Sequence, residues 1–425
     1  MLDIRMVLED RVKVEKGLSK RMEASKLKEM LDKIVLLYEG KKTVKSEYEK
    51  KRSEQNSFNQ QMSQVEKGGG EFQKLLGNLK ELSLQVKEVE EKLRVQDEEL
   101  KSLLEVLPNI PEEDVVGGGK ENNEIVKVVG EKPIFKFKIK DHVALGEDLD
   151  VLDLERASKI SGANFFMYKD KLAQLEWGLL NYFIQAHLKD GYEMIMPPHL
   201  VTEESAYTAG QLPKFKDDVY WVDDGHCLIP TAETVLSNIH RNEILEEKDL
   251  PKKYFAYTPC YRKEAGSYRA NERGTIRVHQ FNKVEMFQYT TPEKAGEALE
   301  ELVGKAEKLV ADLGLHYRVA KLAAGDCSAA ATKTFDIEVW LPSLEQYYEV
   351  SSASNVGEYQ ARRGDIRYRP SNSNGEKIKY VHMLNASGLA TSRLMVSLLE
   401  TYQNEDGSIS IPKVLVPFVG FDKIG

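Results

Sequence analysis

Ten positions spaced alternately four and three residues apart constrain this chain more than any other feature. From Leu75 an apolar seam runs through Leu79, Leu82, Val86, Val89, Leu93, Gln96, Leu100, Leu103 and Leu107, with Gln96 its one polar member. On an α-helix such steps line up as a single stripe, the heptad pattern of paired helices. A weaker seam precedes it: Met30, Ile34, Leu37, Lys41, Val44, Tyr48, Lys51, Gln55, Phe58 and Met62. Between them lie Gly68, Gly69 and Gly70, which end a helix and permit a sharp reversal. The simplest structure is an antiparallel helical hairpin, each arm roughly 55–60 Å long at about 1.5 Å per residue. Only one stripe of each helix is apolar, so the rest faces water or a partner. The first arm carries Lys41, Lys42, Lys45, Lys50, Lys51 and Arg52; the second turns acidic near Glu88, Glu90, Glu91, Asp97, Glu98 and Glu99. Two readings stand: opposite charges supporting a solvated coiled coil, or a basic face that meets a partner.

Pro108 and Pro111 end the hairpin, and Gly117-Gly118-Gly119 followed by KENNE reads as a linker. The chain therefore divides into a helical hairpin domain over 1–110, a linker over 111–130 and a larger domain over 131–425. In that domain helical stretches near 170–190, 292–313 and 388–403 alternate with strand-like runs such as FDIEVWL, QYYEV and KYVHML. There is no βαβ alternation and no Gly-x-Gly-x-x-Gly turn. This predicts an α+β domain built on an antiparallel sheet flanked by helices, not a doubly wound nucleotide-binding fold. A net charge of -9 excludes a uniformly basic surface, so a nucleic-acid partner needs local basic patches. Cys227, Cys260 and Cys327 are far apart with no CxxC pair, which argues against zinc of the usual spacing and suits a reducing cytoplasm. No apolar run reaches membrane-spanning length and the N-terminus has no apolar signal core; a soluble cytoplasmic protein with no membrane partner is expected.

The chemistry concentrates between Tyr261 and Phe287, YRKEAGSYRANERGTIRVHQFNKVEMF. Two alternating runs flank a polar, glycine-containing loop, the pattern of two antiparallel strands. Arg262 and Glu264 sit two apart and are expected on one face of the first strand; His279, Phe281, Lys283 and Glu285 are expected to share a face of the second. Cation, anion and aromatic ring together suit a phosphate, a flat base and an ammonium group, although cross-strand ion pairs are also common on sheets.

This hairpin resembles motif 2 of the class II aminoacyl-tRNA synthetases. MLDIR, the Asn-Ile-Pro segment after the helical hairpin, PPHLV, TAE, EVSSASN and LNASGLATSR follow, in order and spacing, the bacterial-type seryl-tRNA synthetases, and the resemblance covers essentially the whole chain. It implies a ligase that activates L-serine with ATP and Mg2+ to seryl-adenylate, then transfers it to the 3'-terminal adenosine of tRNA(Ser), and of tRNA(Sec) where the host has one. No DNA partner is implied. The nucleophiles are the serine carboxylate and a tRNA hydroxyl, so the protein must align them and offset negative charge.

The resemblance implies the following roles. Arg262 grips the α-phosphate, its planar fork matching two oxygens; Lys263 and Glu264 are further nucleotide contacts. Phe281 stacks under the adenine, with main-chain groups near Val278; taken alone Phe281 would be ordinary packing. Arg393, after a small-residue turn, matches the motif 3 arginine over the adenine. Glu349, Val350, Ser351 and Ser352 end a strand in this reading and contact ATP, with Glu349 and Ser352 holding magnesium, an ion that prefers oxygen ligands. Asp336 and Glu338 are a weaker acidic pair, equally well structural. Thr231, Ala232, Glu233, Arg262, Glu285, Asn385 and Ser387 match serine-binding positions: Glu285 for the ammonium group, Glu233 and Ser387 for the hydroxyl, Asn385 as a brace. Gly191-Tyr192 through Pro197-Pro198 resembles motif 1, which forms the homodimer interface in class II enzymes. The hairpin resembles the arm that grips the long variable arm of the tRNA by shape.

The match thins in the motif 2 loop, GSYRANERGT. Arg269 is shifted by one relative to the family's pattern and Ala270, Asn271 and Glu272 replace its usual group, while Arg273-Gly274 remains. This bears on the acceptor end of the tRNA, not on the adenylate residues. Two other functions compete. An amino-acid-activating paralogue that loads a carrier protein has little use for the helical arm. A non-enzymatic coiled-coil interaction protein has no need to keep Arg262, Glu264, Glu285, Glu349 and Arg393 together.

Overall fold

The computed structural model describes residues 1–264, 273–371 and 377–425. The chain forms two units, Met1–Pro108 and Asn109–Gly425. The first is all helical: α1 (Ile4–Glu9), α2 (Arg11–Leu18), α3 (Ala24–Met62) and α4 (Gly70–Val106). Helices α3 and α4 are the arms of the hairpin. Every member of the two seams is buried or half-buried, and Leu31 and Leu104 beside them are buried as well. The polar members of the weaker seam find partners across it. Lys41 pairs with Asp97, Lys51 donates to Gln85 Oε1 at 2.8 Å and Gln55 to Ser83 Oγ at 2.8 Å. Lys33 and Glu99 add a pair at 2.9 Å. Helix α3 ends at Met62, before the glycines, and the reversal occupies 63–69. Of the three glycines only Gly68 adopts a positive φ.

The second unit is α+β. Its main sheet has eight strands: β1 (Glu124–Val129), β2 (Glu193–Met194), β3 (Lys252–Tyr261), β4 (Gln280–Thr290), β5 (Tyr317–Lys321), β6 (Lys333–Leu341), β7 (Gln346–Gly357) and β8 (His382–Ala390). Their order is β1-β5-β6-β7-β8-β4-β3-β2. Every neighbouring pair is antiparallel except β2 with β3. The segment expected as a linker over 111–130 contributes the edge strand β1 and belongs to this unit. Ahead of β1 it is tied down by Asn109, which hydrogen-bonds Ala329, Ala330 and Val356, and by Glu112, whose N–H donates to Thr332. The helices used below are α5 (His142–Asp148), α6 (Asp170–Lys189), α7 (Ala295–Asp312), α8 (Tyr359–Gly364) and α9 (Thr391–Thr401).

Strand alternation splits the interior in two. Phe255, Met286 and Leu384 face a core built with α6, α7 and α9, while their neighbours Tyr254, Phe287 and Met383 face a second core with Ala232, Leu236 and Tyr359. The second face also carries the site. Two expected boundaries shift. LNASGLA is not a turn: strand β8 continues to Ala390, and the helix begins at Thr391 rather than 388. EVSS lies inside the twelve-residue strand β7 rather than at its end.

Candidate active site

On β4 the odd-numbered side chains Phe281, Lys283 and Glu285 continue the face that Phe287 and Tyr289 bury in the second core. They line two adjoining cavities. One, of about 550 Å³, is bordered by Thr231, Glu233, Arg262, Glu285, Asn385 and Ser387, among others. The other, of about 90 Å³, lies between Phe281 and Arg393 with Ile276, Val278 and Val350 on its walls. Arg262, Glu264, Lys283, Glu349 and Ser387 border both, so any reaction between occupants of the two would pass Arg262.

Arg262 follows the last residue of β3, yet its N–H still donates to His279 O at 2.9 Å. Its Nε donates to Pro230 O at 3.3 Å, and the guanidinium sits 5.1 Å from the Phe281 ring centroid, a cation–π contact. Glu264 reaches the same cavities by another route than expected. The strand has ended, and a positive φ of 50° turns the chain. Arg277 then donates to the Glu264 carboxylate at 2.5 Å. His279 departs from the expected face: it precedes β4, packs on Phe165 and Tyr220, and its Nδ1 is 3.0 Å from Arg262 O.

Arg393 stands in the first turn of α9. Its Nε donates to Ile276 O at 3.2 Å and Nη1 to Glu349 O at 3.1 Å, with the Glu349 carboxylate at 3.5 Å. Val350 is the extra residue of a β-bulge: Glu349 faces Glu338 across the ladder, and Ser352 already faces Asp336. Strict alternation would send Glu349 and Ser352 to opposite faces; the bulge puts both on one. There they meet Asp336 and Glu338 in a polar cavity of about 210 Å³. Burial, and next the Glu349 charge, push the Asp336 carboxyl well above its ordinary range. Its Oδ1 is buried with no hydrogen-bond partner, while Glu338 is held by Arg318 at 2.5 Å. Ser351 turns away, donating to Ser387 O at 2.6 Å.

In the larger cavity Glu285, 2% exposed, pairs with Lys283 at 2.5 Å. Thr231 Oγ1 accepts from Lys283 at 2.8 Å and donates to Glu285 at 3.3 Å. Both bonds use Oε2 of Glu285. Glu233 begins a single helical turn, Glu233–Leu236. It is half-buried and lines the cavity, and its Oε1 accepts from Gln360 of α8 at 2.6 Å and from Asn385 of β8 at 3.0 Å. Burial, then the charge of Glu285, push its carboxyl up to about 7.

Besides Ser351, two expected residues stand off the cavities. Ala232 is buried in the second core, and Lys263 lies 5.7 Å from the Tyr220 ring centroid. Arg269, Ala270, Asn271 and Glu272 lie outside the described residues. Sequence reading assigned no role to Gln360, Arg277 or Lys283. Strand alternation marked Lys283; nothing in EYQARR marks Gln360 as a partner of Glu233.

Comparison with known proteins gives these cavities a context. Residues 1–111 match the family model of the seryl-tRNA synthetase N-terminal domain, and residues 215–402 that of the tRNA synthetase class II core domain (G, H, P, S and T). The chain is 52% identical over 431 residues to serine–tRNA ligase 2 of Clostridium acetobutylicum, covering 100% of each chain. It is 44% identical over 430 residues to the serine–tRNA ligase of Kosmotoga olearia, again covering 100% of each. The crystal structure of seryl-tRNA synthetase from Pyrococcus horikoshii complexed with ATP superimposes with a TM-score of 0.89 at 35% identity, covering 100% of this chain and 99% of that one. In both of its units and along its whole length, the chain belongs to the seryl-tRNA synthetase family of class II serine–tRNA ligases.

Proposed function

We propose that the smaller cavity takes the adenine of ATP, the larger one L-serine, and that Arg262 between them holds the α-phosphate during seryl-adenylate formation. The observation that carries this is the sharing of Arg262, Glu264, Lys283, Glu349 and Ser387 by both cavities. Phe281 and Arg393 would lie on either side of the base. Glu285 keeps Oε1 for the serine ammonium group, since its bonds to Lys283 and Thr231 use Oε2. Glu233 likewise keeps Oε2 for the serine hydroxyl, beside Ser387. The carboxylate of serine attacks the α-phosphate and pyrophosphate leaves; Arg262 offsets the charge that builds on the phosphoryl oxygens. A hydroxyl of the tRNA's terminal adenosine then attacks the acyl carbon and AMP leaves.

The acidic cavity suits Mg2+. Asp336, with its unpartnered buried oxygen, and Glu349 crowd like charges beside the Ser352 hydroxyl. No three His, Cys, Asp or Glu side chains among the described residues already stand as a metal cluster, so phosphate oxygens and water would complete the shell around Glu349 and Ser352. The ion would offset phosphate charge.

The hairpin would receive tRNA(Ser), with Lys42, Lys45, Lys50 and Arg52 exposed on α3, and tRNA(Sec) in hosts that have it. Met196, 88% exposed within the motif 1 segment, supports a homodimer through that segment, and light scattering at micromolar concentration should give twice the chain mass. No described helix is long and apolar enough to cross a membrane; a cytoplasmic location is part of this proposal. The acceptor is tested by charging tRNA(Ser) and tRNA(Sec) transcripts with radiolabelled serine. Charging of tRNA(Ser) is expected. Serine activation without charging would favour the carrier-protein paralogue.

A further inference from the structure

The wall of the nucleotide cavity formed by Ile276, Arg277 and Val278 is backed by a buried histidine–carboxylate pair. His142 is the first residue of α5 and Glu400 lies near the end of α9; they are 3% and 0% exposed. The imidazole Nδ1 lies 3.2 Å from Glu400 Oε1, and the His142 peptide N–H donates to the same oxygen at 3.1 Å. The N–H and hydroxyl of Ser343 also donate to this carboxylate, each at 2.9 Å. On the other side of the ring, Nε2 is 3.2 Å from the peptide nitrogen of Thr275.

These contacts fix the proton. A peptide N–H can only donate, so Nε2 must accept, and the ring proton sits on Nδ1 facing Glu400. The imidazole is therefore neutral and of one tautomer. The neighbouring Gly274 has a φ of +73°, and a Cβ there would lie 2.2 Å from Nε2. Glycine is what allows the ring to reach the Thr275 peptide. Arg393, on the same helix as Glu400, donates to Ile276 O at 3.2 Å. Helix α9 thus holds the 275–276 segment at two points: directly through Arg393, and through Glu400 and His142.

We propose that His142 is a positioning residue for the nucleotide: by accepting the Thr275 N–H it sets the wall formed by Ile276, Arg277 and Val278, while Glu400 sets its tautomer. It touches no substrate, and the proposal rests on this cavity taking ATP. Ile276, Arg277 and Val278 do not line the serine cavity, so the effect should fall on ATP rather than on serine.

Two variants of the full chain separate the two ring nitrogens. His142→Asn keeps a donor near the position of Nδ1 and loses the acceptor for Thr275. His142→Gln keeps an acceptor near Nε2 and loses the donor. Serine-dependent ATP–pyrophosphate exchange should show KM for ATP raised roughly ten-fold in His142→Asn, with KM for serine within about two-fold, as loss of one buried hydrogen bond to the wall implies. His142→Gln should recover most of the ATP affinity. Normal KM for ATP in His142→Asn would overturn the proposal. So would equal changes for ATP and serine, or losses in both variants that simply follow a lowered melting temperature. The unmodified chain gives an independent check if the variants do not fold. Its Thr275 amide should resist hydrogen exchange, and nitrogen-15 NMR should find His142 protonated on Nδ1 alone; a fast-exchanging amide or the other tautomer would contradict the assignment. If the unmodified chain showed no serine-dependent exchange, the ATP reading would fail while this check on the His142 contacts still stood.

Discussion

The helical hairpin and the catalytic unit use polar residues in opposite ways. In the hairpin they lie at the margin of an apolar seam, where Lys41, Lys51 and Gln55 meet Asp97, Gln85 and Ser83 across the arms. Such partly exposed contacts contribute little each, and any of them could be exchanged without rebuilding the helix. In the catalytic unit Glu285 and Asp336 are carried into the interior by strands and Glu233 is set against them by a helical turn, where an unmatched charge is costly. The first arrangement makes a paired-helix arm that is tolerant of its surface. The second makes a site in which each charge has a defined neighbour and few substitutions are neutral.

This contrast can be broken most sharply by removing one side of it. Deleting about residues 27–107, with the ends joined, should abolish tRNA charging while leaving serine-dependent ATP–pyrophosphate exchange near normal; charging at an undiminished rate would mean that the arm does not hold tRNA. Next in size, Arg262→Ala should lower exchange by about 10²–10³-fold, the scale of losing one charge contact to the transferring phosphate. Unchanged exchange would remove Arg262 from the centre of the site.

A smaller effect tests the enclosed carboxyl. Glu233 is raised to about 7 from an ordinary 4.5, so between those values the folded chain holds a proton that the unfolded chain releases. The stability tied to that proton is full below the lower value and is lost as pH rises through the upper one. Urea unfolding across roughly pH 4 to 8 should show the unmodified chain losing about 3 kcal/mol relative to Glu233→Gln. Parallel pH curves for the two proteins would mean that Glu233 titrates normally. KM for serine should also fall as pH rises through about 7, if the ionised form binds the hydroxyl. The smallest effect belongs to the hairpin: Ile34→Val, at a fully buried seam position, should cost about 1 kcal/mol of stability and leave exchange unchanged. A drop in exchange would show that the two units are not independent in function.

The hairpin was readable because helix periodicity repeats over many turns, and both seams appear at the positions that spacing marks. Its basic residues were not assignable, since the same lysines serve helix pairing and an external partner equally well. On β4 alternation alone placed Phe281, Lys283 and Glu285 together. It failed where the backbone leaves the ideal strand: at Glu264, which turns at positive φ; at Val350, where the bulge brings Glu349 and Ser352 to one face; and at Ser387 to Ala390, where the strand runs on through a glycine that reads like a turn. Gln360 and His142 lay beyond sequence reasoning, because their partners Glu233 and Thr275 are brought to them only by the fold.

The most direct test of the central claim is ATP–pyrophosphate exchange by the full chain with each of the twenty amino acids in turn, magnesium present and tRNA absent. The proposed placing of Arg262 between adenine in one cavity and serine in the other predicts exchange with serine and background rates with the other amino acids. A folded chain that exchanges with none of them, or with another amino acid in place of serine, would contradict it.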